Sequence, residues 1–197
     1  MTAAPGAEWV HAIERAYVAA ATGGDVARGG AASGLHLARA RAALGAIASH
    51  YLAVGTPRTF GLIATAETID EAVLSIAAHR AWFAPREIRC ADDPTLAAAA
   101  GGVVASLAET LACDIVCVHA PLAIRAAQLR RGTHVNMLAA GTIDDDLRRL
   151  ATVSHEAADL GALAAGLIDG RQLDELTVFI AGDAAIALGV LARSGRS

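Results

Sequence analysis

The stretch TFGLIATAETI (residues 59–69) decides how this chain folds, because an uninterrupted apolar run passes at once into a helical pattern. Residues 59–64 have the continuous apolar character of a strand that is buried on both faces of a parallel sheet. A helix is predicted from about Glu67 to Trp82. The same order of strand, short turn and helix recurs along the chain, which predicts an α/β fold.

Further strands are predicted at residues 87–90, 102–105, 114–120, 133–138 and 176–180. Asp93 and Pro94 are typical of a helix start, because Pro fits the first turn. Ser106 and Glu109 have the spacing of a capping box and predict another helix. Helices are also expected at residues 122–129, at 144–150, within 152–170 with Gly170 ending it, and at 183–192. Short connections between strands and helices indicate a doubly wound, Rossmann-like parallel sheet.

The chain divides into three segments by composition. Residues 1–57 are interpreted as an N-terminal helical appendage, with helices at Glu8 to Ala21 and at 36–53 on either side of a glycine-rich loop. Residues 58–155 form the Rossmann-like body. Residues 156–197 are expected to pack back on that body.

Composition excludes several kinds of chemistry. All 16 basic residues among the 197 are arginine, so Schiff-base, pyridoxal phosphate and P-loop lysine chemistry are excluded. The net charge of −4 argues against nucleic acid or an anionic membrane as the partner. No signal peptide or transmembrane run is evident. The odd set Cys90, Cys113 and Cys117 is interpreted as reduced, buried thiols in the cytoplasm, and no metal site is predicted.

The first strand-to-helix turn is where a Rossmann-like sheet normally holds a pyrophosphate, on a G-x-G-x-x-G or A pattern. Here Ala64 and Ala66 stand in place of glycines, and Glu67 puts a carboxylate in the first helical turn. A carboxylate competes with a phosphate for the helix dipole. We therefore expect a degenerate cofactor-binding turn and no bound cofactor, with NAD(P) the one expected if any binds.

The end of the second strand normally carries an acid for the adenosine ribose. Asp92 is placed to take that role. Capping of the next helix by Asp92 or Asp93 is the alternative function of these two side chains.

Several stretches together suggest a family. They are EWVHAIERAYVAAATGGDV (8–26), ARAALGAIASHYLAVGTPRTFGLIATAE (40–67), RRGTHVNML (130–138) and GLIDGRQLDELTVF (166–179). In this order they resemble the ornithine cyclodeaminase/mu-crystallin family, which includes NAD(P)-dependent cyclodeaminases, ketimine reductases and some alanine dehydrogenases. The resemblance covers nearly the whole chain and implies a Rossmann domain with a shortened substrate domain.

The chain departs from that family at functional positions. The family's catalytic lysine and a substrate-gripping arginine have no counterpart in the short segment between residues 27 and 36. Its aspartate near the nicotinamide falls at Gly141, and the acids at 144–146 are interpreted as a helix start. Its Lys-Ser-x-Gly pattern is replaced by Ile180 to Asp183.

Two catalytic candidates remain. The resemblance implies that Arg41 faces the substrate carboxylate, with a solvated helix arginine as the alternative. His119, at the end of the fourth strand, is expected to face the same crevice or to be a satisfied strand-end histidine. His134 and Asn136 match family residues, and we expect them to make structural hydrogen bonds.

These observations favour a truncated, degenerate relative that lacks the parent activity and binds itself or a homologous partner enzyme. The alternative is an NAD(P)-dependent oxidoreductase or cyclodeaminase acting on a small amino or imino acid. A third hypothesis is another small molecule bound in the emptied crevice. Association as a homo-oligomer is expected through the apolar stripe of Leu37, Leu44, Ile47 and Leu52, unless Trp9, Ile13 and Tyr17 cover that stripe within the chain.

Overall fold

The computed structural model describes residues 8–30, 34–139, 141–154, 157–170, 175–182 and 184–194. Its helices are α1 (Glu8–Ala21), α2 (Gly34–Leu52), α3 (Ile69–His79), α4 (Pro94–Ala100), α5 (Leu107–Leu111), α6 (Asp145–Leu150), α7 (Ala157–Ala164) and α8 (Ala185–Ser194). Its strands are β1 (Thr59–Ala64), β2 (Glu87–Ala91), β3 (Val103–Ala105), β4 (Ile115–His119), β5 (Ala123–Ile124), β6 (His134–Met137), β7 (Thr142–Ile143), β8 (Ala151–Ser154) and β9 (Leu176–Ile180).

Seven strands form one parallel sheet in the order β3-β2-β1-β4-β6-β9-β8. The predicted doubly wound, Rossmann-like α/β class is therefore confirmed. Residues beyond 155 supply β9, which lies inside the same sheet between β6 and β8. The strand order reverses between β1 and β4, so a crevice is expected beyond their carboxyl ends.

Alternate residues of the central strands face opposite layers, because successive side chains in a strand point to opposite faces. Phe60 and Leu62 pack into the layer that holds α1, α2, α3 and α8. Ile63 packs into the other layer with Val116 and Val118 of β4. Burial on both faces explains the uninterrupted apolar runs that identified β1 and β4 in the sequence.

Three of the predicted helix starts are confirmed by their caps. The Asp93 carboxylate accepts hydrogen bonds from the backbone N–H groups of Thr95 and Leu96, at 2.8 and 3.0 Å. Ser106 and Glu109 form the expected capping box at α5. Asp144 caps α6 by accepting from the Leu147 N–H at 2.7 Å, so the acids after Ile143 do begin a helix.

Two helix predictions were wrong. Residues 122–129 form β5 and a 3-10 turn, because β5 pairs with β7 in a separate two-stranded sheet whose partner lies far along the chain. The helix within 152–170 ends at Ala164 instead of Gly170. Gly166 has a left-handed φ of 67° there, and the Leu167 N–H bonds the Ala162 carbonyl, which together form a Schellman termination.

The apolar stripe expected to drive association is buried within the chain. Leu44 and Ile47 are fully buried and Leu52 is 2% exposed. α1 packs against α2, α7 and α8, with Ile13 and Tyr17 in the core. Leu37 is half-buried, and α3 and α8 pack on α2 together with α1. The stripe is thus covered within the chain by several helices, of which α1 is one, and association through it stays a prediction.

Candidate functional site

The crevice at the strand reversal brings together the carboxyl ends of β1 and β4. Ala64 pairs with His119 across the two strands. After Ala64 the chain makes a 3-10 turn at Ala66–Thr68 before α3 begins at Ile69. The predicted cofactor-binding positions Ala64, Ala66 and Glu67 therefore do lie at the head of this crevice.

Two threonines close the turn on itself. The Thr65 N–H donates to the Thr68 Oγ1 at 2.9 Å, and the Thr68 N–H donates to the Thr65 carbonyl at 3.0 Å. The Thr68 hydroxyl in turn donates to the carbonyl of His119 at 2.7 Å, which ties the turn to β4. Two amides that could face a phosphate are therefore already bonded to the protein.

Glu67 supplies an anion at the same turn. Its side chain is exposed, and hydrogen bonds from the Thr65 side chain and from its own backbone N–H lower the pKa of its carboxyl. The remaining fingerprint position, three residues after Ala66, is Ile69. Methyl or larger groups thus occupy all three glycine positions, and a carboxylate takes the favourable end of the helix dipole. A dinucleotide diphosphate would meet these side chains where the glycine pattern leaves open backbone.

Asp92 and Asp93 have separate functions at the end of β2. Asp93 caps α4, whereas the Asp92 side chain is exposed and its residue has a left-handed φ of 51°. That conformation is uncommon outside glycine, although Asp tolerates it better than most residues. A ribose-binding role for Asp92 therefore stays a prediction, whereas the capping alternative is taken by Asp93.

The two catalytic candidates both act on a third residue, Glu71 on α3. The His119 side chain is 1% exposed, and its Nδ1 lies 3.9 Å from Oε2 of Glu71. The polar contact with His119, and to a smaller extent the charge of Arg41 on α2, lower the pKa of the Glu71 carboxyl. We call Arg41, Glu71 and His119 the crevice cluster.

The buried imidazole of His119 is held from one side only. Its Nε2 lies 2.9 Å from the hydroxyl of Ser75, one helical turn after Glu71. Among the described residues, its Nδ1 has no hydrogen-bond partner. The sequence reasoning missed Glu71 and Ser75; their i,i+4 spacing, in the helix that follows the first strand, was the available signal.

Ser75, His119 and Glu71 follow each other in the order of a nucleophile, base and orienting acid. The Ser75 hydroxyl, however, is bonded to His119 Nε2, on the side of the ring away from Nδ1 and Glu71, so it does not face the ligand side of the ring. The arrangement instead suits recognition, because it offers one cation, one anion and one imidazole nitrogen to a bound molecule.

Behind the crevice cluster lies a buried polar network. His79 Nδ1 donates to the Ser75 carbonyl at 2.6 Å, so its Nε2 accepts from the Ser49 hydroxyl at 2.9 Å. Asn136 donates to Ser49 at 2.8 Å and bonds Nε2 of His134 at 3.1 Å. The structural hydrogen-bonding role expected for His134 and Asn136 is confirmed.

Other sequence predictions fall outside this cluster. Gly141 stands where the family has an aspartate, and a Cβ there would collide with the Met137 side chain. Asp183 lies outside the described residues. Cys90, Cys113 and Cys117 are buried and free. Within the described ranges, no three His, Cys, Asp or Glu side chains gather as a metal site, and no helix there is both long and apolar enough to cross a membrane.

Several solved structures share the fold of this chain. An iminosuccinate reductase of Paracoccus denitrificans in complex with NAD+ superposes with a TM-score of 0.69 at 18% identity, covering 82% of this chain and 62% of that one. An archaeal alanine dehydrogenase dimer with bound NAD gives 0.66 at 21%, covering 77% and 61%. The chain has the fold of the ornithine cyclodeaminase/mu-crystallin family.

A lysine cyclodeaminase that recognises L-lysine, L-ornithine and L-2,4-diaminobutyric acid also shares this ornithine cyclodeaminase/mu-crystallin fold. Its TM-score is 0.61 at 20% identity, with 82% of this chain and 60% of that chain covered. No protein-family model and no curated protein matches the sequence. The chain thus spans less than two thirds of each of these structures, as the resemblance implied.

Proposed function

We propose that this protein is a degenerate relative of the ornithine cyclodeaminase-like enzymes that acts by binding rather than by hydride transfer. The crevice cluster of Arg41, Glu71 and His119 is the binding site, and a small amino or imino acid is the ligand. The resemblance assigns Arg41 to the ligand's carboxylate, and the structural neighbours act on ligands of this class. The observation that carries the proposal is the Glu67 carboxylate at the turn where a diphosphate would bind.

The obstacle that this turn presents to a diphosphate is electrostatic as well as steric. A diphosphate needs free backbone N–H groups and the positive end of a helix. Here Thr65 and Thr68 bond two of those amides internally, and Glu67 bonds a third. A bound diphosphate would therefore face a fixed negative charge instead of open donors. Hydride transfer requires a cofactor, so this proposal includes loss of that step.

A second candidate function rests on Asp92. An NAD(P)-dependent oxidoreductase or cyclodeaminase would use its exposed carboxylate for the adenosine ribose, and two of the neighbouring structures hold NAD. Such an enzyme would have to accept the diphosphate against Ala64, Ala66 and Glu67. Association with itself or with a homologous enzyme remains a separate prediction, and one neighbour is described as a dimer.

Titration with NAD+, NADH, NADP+ and NADPH separates the two candidates. We expect no calorimetric or nicotinamide-fluorescence signal from the natural chain. A variant with Ala64→Gly, Ala66→Gly and Glu67→Gln should gain measurable binding, because it reopens the turn and removes the charge. Asp70→Asn is the matched control, since it removes an exposed charge from the same helix without touching the turn. Micromolar binding of any of the four by the natural chain would overturn the proposal and favour the oxidoreductase.

A further inference from the structure

The crevice cluster contains a buried nitrogen that the protein leaves unsatisfied. His119 is almost fully buried, and its Nδ1 has no hydrogen-bond partner among the described residues. Its Nε2 is held by Ser75 at 2.9 Å, so the ring orientation is defined. Burying a polar atom without a partner is unfavourable, and native proteins rarely do so without a reason.

The nearest charged group to that nitrogen is the carboxylate of Glu71, at 3.9 Å. This separation is too long for a direct hydrogen bond. It suits a third atom that bonds both groups: a nitrogen about 2.8 Å from each would see them at an angle of roughly 90°. The N–H directions of a tetrahedral ammonium come close to this angle. Because Glu71 is 31% exposed, it also connects the buried imidazole to solvent.

We propose that His119 and Glu71 form a recognition pair for a ligand's ammonium or protonated imine group. This inference rests on the proposed function and names the group that the crevice distinguishes. His119 donates from Nε2–H to the Ser75 hydroxyl oxygen, which leaves the Nδ1 lone pair to accept from the ligand. Glu71 accepts a second N–H from the same nitrogen, and Arg41 meets the ligand's carboxylate.

The surrounding charges agree with a positively charged nitrogen. The turn before α3 carries Glu67, the first turn of α3 carries Glu71, and neither turn has a basic residue. An oxo acid would place a carbonyl oxygen, which only accepts hydrogen bonds, against the Glu71 carboxylate and the Nδ1 lone pair. The pair therefore selects an amino acid or a protonated imino acid over the corresponding 2-oxo acid.

Matched ligand pairs test this selection. The probes are L-alanine, L-leucine and L-glutamate, each titrated calorimetrically beside its 2-oxo acid. We expect the natural chain to bind at least one of these amino acids on the order of 10-fold more tightly than its oxo acid. Glu71→Gln should abolish that preference, mainly by weakening amino-acid binding. Asp70→Asn, a neighbouring exposed carboxylate, should keep it.

His119→Gln provides a second variant, with a thermal melt to confirm that it folds. It should lose the same preference, since Gln cannot place a lone pair at the Nδ1 position with Ser75 still bonded. If Glu71→Gln keeps the natural preference, or if the natural chain prefers the oxo acids, the recognition pair is refuted while crevice binding stands. If the natural chain binds neither class, the recognition pair and the proposed function both fail.

Discussion

At the scale of single residues, the crevice depends on which polar atoms already have partners. Thr65, Thr68 and Glu67 satisfy one another at the first turn, whereas His119 keeps one buried nitrogen open. Because these hydrogen bonds are made by individual side chains, single substitutions should distinguish the residues that stabilise the fold from those that can bind a ligand.

Asn136 and Ser49 offer such a residue-scale test within the buried network. Asn136→Ala removes one hydrogen bond from each of His134 and Ser49, and we expect it to lower the free energy of unfolding by about 2–3 kcal/mol. Ser49→Ala should lower it by about 1–2 kcal/mol. The double variant should lose less than the sum, because the two side chains share one hydrogen bond. Urea denaturation measures all three, and strictly additive losses would contradict the network.

At the scale of elements, α2 shows why tertiary contacts matter here. All of its residues from Ala42 to Ser49 are buried, so this part of the helix has no solvent-exposed face that would indicate its orientation. Apolar packing alone leaves such a helix free to rotate about its axis. The hydrogen bonds that Ser49 donates to His79 and accepts from Asn136 define both the rotation of α2 and its height against the sheet.

The element-scale prediction concerns acid stability of the contact between α2 and α3. Burial among Phe60, Phe83 and Ser49 lowers the pKa of His79 from 6.5 to about 4. Between pH 6.5 and about 4, His79 is therefore protonated in the unfolded chain but neutral in the folded chain. The contribution of His79 to the free energy of unfolding is fully present above pH 6.5, and it should fall by about 3 kcal/mol as the pH drops to 4.

Denaturant titrations at several pH values measure this loss against His79→Gln. The variant lacks the titrating group. Between pH 4 and 6.5, the slope of its free energy of unfolding against pH should therefore be smaller than that of the natural chain, by up to about 1.4 kcal/mol per pH unit. Parallel curves for the two proteins would show that His79 does not contribute to acid sensitivity.

At the scale of the whole molecule, the two ends of the described chain pack together. α1 contacts α7 and α8, and α2 lies beneath them. Gly161 of α7 allows this closeness, because a Cβ there would collide with the Tyr17 carbonyl of α1. The N-terminal helices α1 and α2 therefore contribute side chains to the same core as the sheet.

Gly161→Ala tests that arrangement. In an isolated helix the change would stabilise by about 1 kcal/mol, yet here we expect a net loss of about 1–3 kcal/mol from overpacking. A lowered thermal midpoint is the readout. Gly30→Ala is the control, since a Cβ at Gly30 meets nothing within 4 Å. Equal or higher stability for Gly161→Ala would mean that α1 and α7 do not pack this closely.

The sequence alone determined the α/β class, the central strands and most helix starts. β1, β4 and β9 follow from apolar runs, and the caps at Asp93, Ser106 and Asp144 follow from local spacing, because these signals act over a few residues. The altered turn at residues 64–67 was also visible there.

The tertiary structure decided what depends on distant partners. β5 exists because β7 pairs with it, and the stripe on α2 is buried because α1, α3 and α8 pack against α2. The crevice cluster also depends on distant partners. Arg41 lies on α2, Glu71 on α3 and His119 on β4. Only the packing of α2 and α3 against β4 places them near one another. Local spacing carries no information about such encounters, since residues 41 and 119 share no element.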